Sequence, residues 1–335
     1  MKKIVFFAFV LLVFSGCGNS NEKLLTSATG SIYECLVVSP SGAVSRSVSD
    51  TMSADIYGLP QMEPSFNVST VTNAQFDDFL KSTRNILIVD VNPQKYTQVV
   101  ARKSRDVFSR PQALIRVQAP SEEAFLAYWQ VAGTDIREWF IREELARQIR
   151  FYRANTNKEA RAHLQARGYD LLIPEDFVFI MDTLLGDTHV LWCCNNKGPM
   201  RKDVLVYDMP YTAQSQFSCD SIVASRTAIL GSLVSAQVAG SHMGTEHKHF
   251  PPVSRSVTAL NDTAGGFYAI ETRGLWKMVD GEAMGGPFVS LTRLDQVNAR
   301  VVTAEMFLYA PGQKKRNATR QTEAILYTLR MPNEK

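Results

Sequence analysis

Three of the five histidines in the chain, His242, His247 and His249, fall within one short segment beside Glu246. Neutral imidazoles at that spacing could hold a zinc ion, and an HxH pair on a strand would present both rings on one face. The segment has no HExxH pattern and runs into Pro251-Pro252. A solvated histidine-rich loop is therefore the preferred reading, with metal handling as the alternative. A second group is Gly274-Leu275-Trp276 with Met284-Gly285-Gly286-Pro287-Phe288. Glycines allow close backbone approach, and Trp276, Met284 and Phe288 would line an apolar groove for a ligand or partner, or else pack as core around a tight turn. Cys35, Cys193, Cys194 and Cys219 contain no CxxC. Adjacent Cys193 and Cys194 would point to opposite strand faces, leaving open either a disulfide to Cys219 or buried thiols. GxSxG, Walker, GxGxxG and HExxH patterns are absent, so no catalytic residue is assigned and no cofactor is expected.

Cys17 carries the most definite chemistry. It follows Lys2 and Lys3, an apolar run from Ile4 to Phe14, and the small pair Ser15-Gly16. That order describes a secretory signal over residues 1–16, and the run is shorter than the roughly 20 residues that span a bilayer. With a cysteine at the first mature position, Phe14-Ser15-Gly16-Cys17 resembles the lipobox of a bacterial lipoprotein. The resemblance implies acylation of Cys17 (three chains, palmitate-like). Because one acyl chain anchors only marginally, three would hold the protein almost permanently. Gly18 in place of aspartate favours the outer membrane, and Gly18 to Lys23 lacks an acidic surface-export cluster, which favours its periplasmic face. Of 36 basic residues only Lys2 and Lys3 belong to the leader, leaving 34 against 33 acidic. So near-neutral a chain gives no electrostatic case for nucleic acid.

Positioning these residues requires two layered halves. Residues 17–30 read as a tether, 31–153 as an N-terminal α/β domain and 154–335 as a C-terminal α+β domain. In the first, strands are predicted at Tyr33–Val38, Phe66–Val71 and Asn85–Val91, with a hairpin from Thr97 to Gln118. Helices are predicted at Val44–Ile56 (capped by Ser45 or Ser47), Ala74–Thr83 and Pro120 to Tyr152, the last with a break near Gly133. The pairs Glu138–Arg142 and Glu143–Arg147 read as a wet helix face. Basic Arg102, Lys103, Arg105, Arg110 and Arg116 could meet anionic lipid or glycan, or form a solvated sheet face. The second half reads as helix Lys158–Arg167, strands at Asp170–Ile173, Phe177–Asp182, His189–Cys194 and Asp203–Tyr207, and helix Asp220–Val234. Strands Gly266–Leu275, Pro287–Leu294 and Arg300–Tyr309 follow, and helix Ala318–Leu329 closes it. The class is α+β, with mixed or antiparallel sheets each covered by helices. The second half looks similar to the PsbP and Mog1 type of sandwich.

Gly58-Leu59-Pro60-Gln61-Met62-Glu63-Pro64, Phe66-Asn67, Phe79-Leu80, Arg84-Asn85-Ile86, Gly274 to Trp276, Met284 to Leu291, Tyr309-Ala310-Pro311 and Glu323 to Tyr327 are spread along the chain. Together they resemble an envelope lipoprotein family known as domain of unknown function 4837. The resemblance brings no activity. It implies bacteria that glycosylate exported proteins at Asp-Ser/Thr-apolar sequences, which would make Thr263, Thr51, Thr183 and Ser221 acceptors. The expectation is a non-enzymatic binding or scaffold module in the envelope, meeting an envelope protein or glycan. An envelope hydrolase without a familiar motif is the alternative.

Overall fold

The computed structural model describes residues 25–235, 238–258, 268–331 and 334. The first half contains β1 (Thr26–Ser27), β2 (Glu34–Val38), α1 (Gly42–Met52), β3 (Asn67–Val71), β4 (Asn85–Val91), β5 (Val100–Arg105), β6 (Ser109–Arg110), β7 (Ala113–Ala119) and α2 (Glu122–Ala154). Strands β3-β2-β4-β7-β5 form one sheet, parallel except for β5. The apolar run of β4 is buried on both faces, which central parallel strands require. Leu87 and Val89 face α1 and α2, while Ile86 and Ile88 face Phe76, Leu80 and Phe108.

That second cover is not the predicted helix over Ala74–Thr83. Two 3-10 turns stand there, Asn73–Gln75 and Leu80–Ser82. Gln75 Oε1 accepts the backbone N–H of Thr72, and Asp77 Oδ1 that of Leu80. Local side-chain acceptors of this kind compete with the helical ladder. Phe79 is 77 % exposed. Helix α1 is capped by Ser41, which accepts from Val44 N–H, rather than by Ser45 or Ser47.

Helix α2 continues through Gly133 without a break. The glycine is there for packing: a Cβ would lie 2.9 Å from Trp129 Cε2 and 3.2 Å from Thr51 Cγ2 of α1. Nor is the charged face of α2 simply wet. Glu143, Glu144 and Arg147 are buried. Arg105 Nε donates to Glu143 at 2.9 Å, and Asn85 Nδ2 to Glu144 at 2.7 Å. Arg147 Nη2 donates to Asn85 Oδ1 at 2.5 Å. Glu138 meets Arg137 at 3.7 Å, not Arg142.

The second half contains α3 (Lys158–Ala166), β8 (Val178–Leu185), β9 (Thr188–Asn195), β10 (Arg201–Pro210), α4 (Cys219–Leu233), β11 (His242–Thr245), β12 (Val253–Thr258), β13 (Tyr268–Val279), β14 (Gly285–Asp295), β15 (Arg300–Tyr309) and α5 (Arg316–Leu326). Its antiparallel sheet runs β11-β13-β14-β15-β10-β9-β8, with β12 also paired to β13. Residues 170–173, predicted as a strand, supply only a bridge from Asp170 to Arg330. Val204, Val206, Val289, Leu291, Val302, Ala304, Met306 and Leu308 point to one face and join the core shared with α2 and α5. Helix α2 packs on β4 and β7, α5 packs on β10, β14 and β15, and the two helices pack on each other. The fold is α+β, with both of the larger sheets helix-covered and a short β1-β6 pair beside them. Among the described residues no helix is long and apolar enough to cross a membrane.

Candidate functional site

The opposite face of the larger sheet is set by the same alternation. Val190 and Trp192 of β9, Leu205 and Tyr207 of β10, Trp276 of β13, Phe288 of β14 and Phe307 of β15 form a second apolar cluster. Helix α4 covers part of it through Ile229 and Leu230. Its anchor is a buried ion pair, Arg226 Nε to Glu305 Oε1 at 2.7 Å, with both side chains fully buried. The Arg226 guanidinium also sits 3.9 Å from the Phe288 ring centroid. Burial raises the Glu305 carboxyl above its ordinary range, and Arg226 opposes that rise.

Where α4 ends, the cluster opens into a cleft of about 630 Å³. Trp192, Trp276, Met278, Met284, Phe307 and Tyr309 supply most of its wall, with Leu233 and Met243 at the α4 side. Its charged lining is Arg201 and Glu282. Both indoles have their polar edges occupied. Trp192 Nε1 donates to Asp203 at 2.9 Å, and Trp276 Nε1 to the Leu308 carbonyl at 2.9 Å. Asp203 also receives Arg201 Nε at 2.9 Å. Burial raises the Asp203 carboxyl despite those donors. An occupant therefore meets ring faces and thioethers, a lining of the kind that binds small apolar molecules.

Of the residues expected at a groove, Trp276 and Met284 reach the cleft and Phe288 does not, because it lies under Arg226. Gly285, Gly286 and Pro287 form the start of β14. A Cβ on Gly286 would stand 1.9 Å from the Leu308 oxygen, and one on Gly285 would stand 2.7 Å from the Trp276 oxygen. Both glycines serve strand packing. Trp192, Met243, Met278, Phe307 and Tyr309 were not anticipated. The period-2 patterns of β9 and β15 carry Trp192, Phe307 and Tyr309, while Met243 lies on β11 and Met278 on β13, and only pairing across the sheet brings them to one place.

His242 lies on β11, its Nδ1 3.0 Å from the Gly240 oxygen, while His247 and His249 follow in a loop. Glu246 is committed elsewhere: it accepts Lys277 Nζ at 2.8 Å and the backbone N–H groups of Lys248 and His249. Among the described residues no group of three metal-ligating side chains occurs. Cys35, Cys193, Cys194 and Cys219 are free thiols. Burial pushes Cys35 and Cys193 each up to about 12.

Thr51 sits in α1, where its hydroxyl accepts Trp129 Nε1–H at 2.9 Å and donates to Ser47 O at 3.1 Å. Thr183 is half-buried on β8, and Ser221 in α4 donates its backbone N–H to Ser218 Oγ. Cys17 and Thr263 lie outside the described residues. The basic hairpin is partly neutralised: Arg105 meets Glu143, Arg110 meets Asp106 at 3.1 Å, and Arg116 meets Asp90 at 3.8 Å.

Residues 156–328 match the family model Domain of unknown function (DUF4837), and residues 28–153 match Domain of unknown function (DUF8532). No curated protein matches the chain. Among solved structures, cyanobacterial PsbP (CyanoP) from Synechocystis sp. PCC 6803 is 7% identical, covers 52% of this chain and 89% of its own, and has a TM-score of 0.33. The human StarD13 (DLC2) lipid transfer and protein localization domain is 11% identical, covers 45% and 88%, and has a TM-score of 0.16. Likeness at these levels decides neither fold nor ligand.

Proposed function

The chain belongs to the family described as Domain of unknown function (DUF4837), whose description names no activity, and we propose from its own residues that it is a lipid-anchored binding module of the bacterial envelope. The anchor in this reading is acylated Cys17, supported by Lys2, Lys3, the Ile4–Phe14 run and Ser15-Gly16 before it. Gly18 in place of aspartate supports placement at the outer membrane, and the lack of an acidic cluster over Gly18 to Lys23 supports its periplasmic face. The cargo is a small, mainly apolar molecule.

The cleft of about 630 Å³ beside α4 carries the proposal. Its walls are aromatic faces and three methionines, and flexible thioethers adapt to an occupant. Arg201 and Glu282 could orient a polar end of the ligand. The lining contains no histidine or cysteine to activate a nucleophile, so binding has more support than hydrolysis.

Two experiments test the two parts. Mass spectrometry of native protein should find Cys17 as the first residue, carrying acyl chains; a retained leader or an unmodified Cys17 overturns the anchor. For the cleft, an apolar fluorescent probe should bind saturably and quench Trp192 and Trp276. Met284→Lys should abolish the quenching while preserving the melting temperature. Equal binding by the variant overturns the site. Phe288 is unsuitable for this purpose, since its loss would strip the packing under Arg226.

A further inference from the structure

A second cleft, of about 640 Å³, lies on the other side of the larger sheet, where the loop after α1, helix α2, edge strand β12 and α5 meet. Its character is opposite to that of the apolar cleft. Arg137 and Arg142 of α2, Arg255 of β12, Arg273 of β13 and Arg320 of α5 line it. The lining carboxylates are Asp55 and Glu138.

Behind the wall, Glu271 and Glu323 serve the arginines. Glu271 Oε1 accepts Arg255 Nε and Arg273 Nε, each at 2.8 Å, and Tyr327 donates to its other oxygen at 2.7 Å. Glu323 accepts Arg320 Nη1 at 3.1 Å and also Arg273 Nη2. Counting these four carboxylates against five guanidinium groups leaves one positive charge in excess.

Hydrogen bonding leaves a larger excess than charge does. Arg273 is 1 % exposed, yet its Nη1 has no hydrogen-bond partner among the described residues. The Nε groups of Arg137 and Arg320 are likewise buried and unpartnered. Buried donors are nearly always satisfied, and one left bare costs on the order of 1–3 kcal/mol. Three such donors lie on three arginines of this one cleft. Guanidinium forks match tetrahedral oxyanions in both geometry and charge.

Two features hold the site in shape. Gly58, at φ +64°, lets the loop after α1 lie directly on Arg273, since a Cβ there would stand 2.8 Å from Arg273 Cβ. Arg255 is also placed over the Tyr57 ring, 5.0 Å from its centroid.

We infer that this arginine-lined cleft is a binding site for a phosphate-class oxyanion, either free phosphate or the headgroup of a phospholipid. The site is independent of the apolar cleft and of the anchor at Cys17.

Calorimetric titration of inorganic phosphate into the full chain should give saturable binding that weakens as salt is raised. Arg255→Gln should weaken it about tenfold, the effect of losing one charge-assisted hydrogen bond. That variant leaves Glu271 bonded to Arg273 and Tyr327, so its melting temperature should stay near that of the parent. Arg142→Gln, at an exposed rim position, provides a second variant with no folding liability. Short-chain phosphatidic acid forms the other arm. Tighter binding than phosphate points to a lipid headgroup, equal binding points to the free ion, and either supports the site when both variants weaken it. No saturable binding, or binding unchanged in both variants (an adventitious ion only), overturns it.

Discussion

Trp276 donates its indole N–H to the carbonyl of Leu308 at 2.9 Å, from β13 to β15 across the intervening strand β14. The β14–β15 ladder runs from Asp295↔Arg300 to Phe288↔Phe307, so Leu308 lies beyond its last pair and its oxygen is available to the indole. Gly286, paired with Trp276, makes the crossing possible because a Cβ there would stand 3.0 Å from the indole nitrogen. Trp276 is therefore held in the wall of the apolar cleft by one bond over one glycine.

Gly286→Ala should destabilise the protein by more than ~3 kcal/mol, at the upper end of overpacking costs, since the obstacle is backbone oxygen that cannot move aside. Gly42→Ala is the matched control. It opens α1 with nothing within 4 Å of the new Cβ, so it should be neutral or stabilising by up to ~1 kcal/mol. Urea denaturation of both variants checks the contrast, and equal effects would refute it.

The Arg226–Glu305 pair should show the asymmetry of buried charge. Arg226→Met should cost about 3–5 kcal/mol because it strands a buried carboxylate. Replacing both residues by apolar ones should cost less than Arg226→Met alone. Glu305 is already raised by burial, and losing Arg226 removes the cation that opposes that rise. In the single variant the native state therefore binds a proton that the unfolded state releases. The variant should regain stability as pH falls from 7 towards 5, measurable as a shrinking difference from the parent.

Glu246 behaves in the opposite way. Its hydrogen bond from Lys277, with the backbone N–H groups of His249 and Lys248, lowers its carboxyl from 4.5 to about 2. A depressed folded pKa adds stability that is complete above the unfolded value and disappears as pH falls through the folded one. Wild type should thus exceed Glu246→Gln at pH 7, and the gap should close between about pH 5 and pH 2. A gap that is constant over this window would mean the carboxylate does not hold the 246–249 loop.

Thiol reactivity gives an independent check of the core. Cys35 and Cys193 are buried and their thiols are pushed up to about 12, while Cys219 is half-buried. Native alkylation at pH 8 should mark Cys219 first and spare Cys35 and Cys193, because only the thiolate reacts. Denatured, unreduced protein should expose all four. Early labelling of Cys193 would contradict the packing of β9.

The α+β class, most strands and the main helices were legible because period-2 and period-3.6 patterns are local properties of the chain. The turns over residues 73–82 were missed because the side chains of Gln75 and Asp77 outbid the helical ladder for backbone donors. In the sequence, Gly58 to Pro64 stood out as a segment carrying the family resemblance. Its purpose lies 252 positions away, where Glu63 Oε1 accepts the backbone N–H of Lys315. Its other oxygen accepts that of Arg316, so the carboxylate caps α5, whose own N-cap makes no side-chain bond.

By itself the sequence determined what depends on residue type and near neighbours: the apolar run and small pair before Cys17, near-neutral charge, the alternation of the strands and the pairing of small and aromatic residues around Trp276. Tertiary structure alone decided which alternating positions meet. Trp192, Met278 and Phe307 join Trp276 in one cleft because antiparallel register places β13, β14, β15, β10 and β9 side by side. Five arginines from two helices and two strands share a cleft because α2 and α5 are packed between two sheets. Such meetings depend on long-range closure of the chain, and the spacing of residues along it does not encode them.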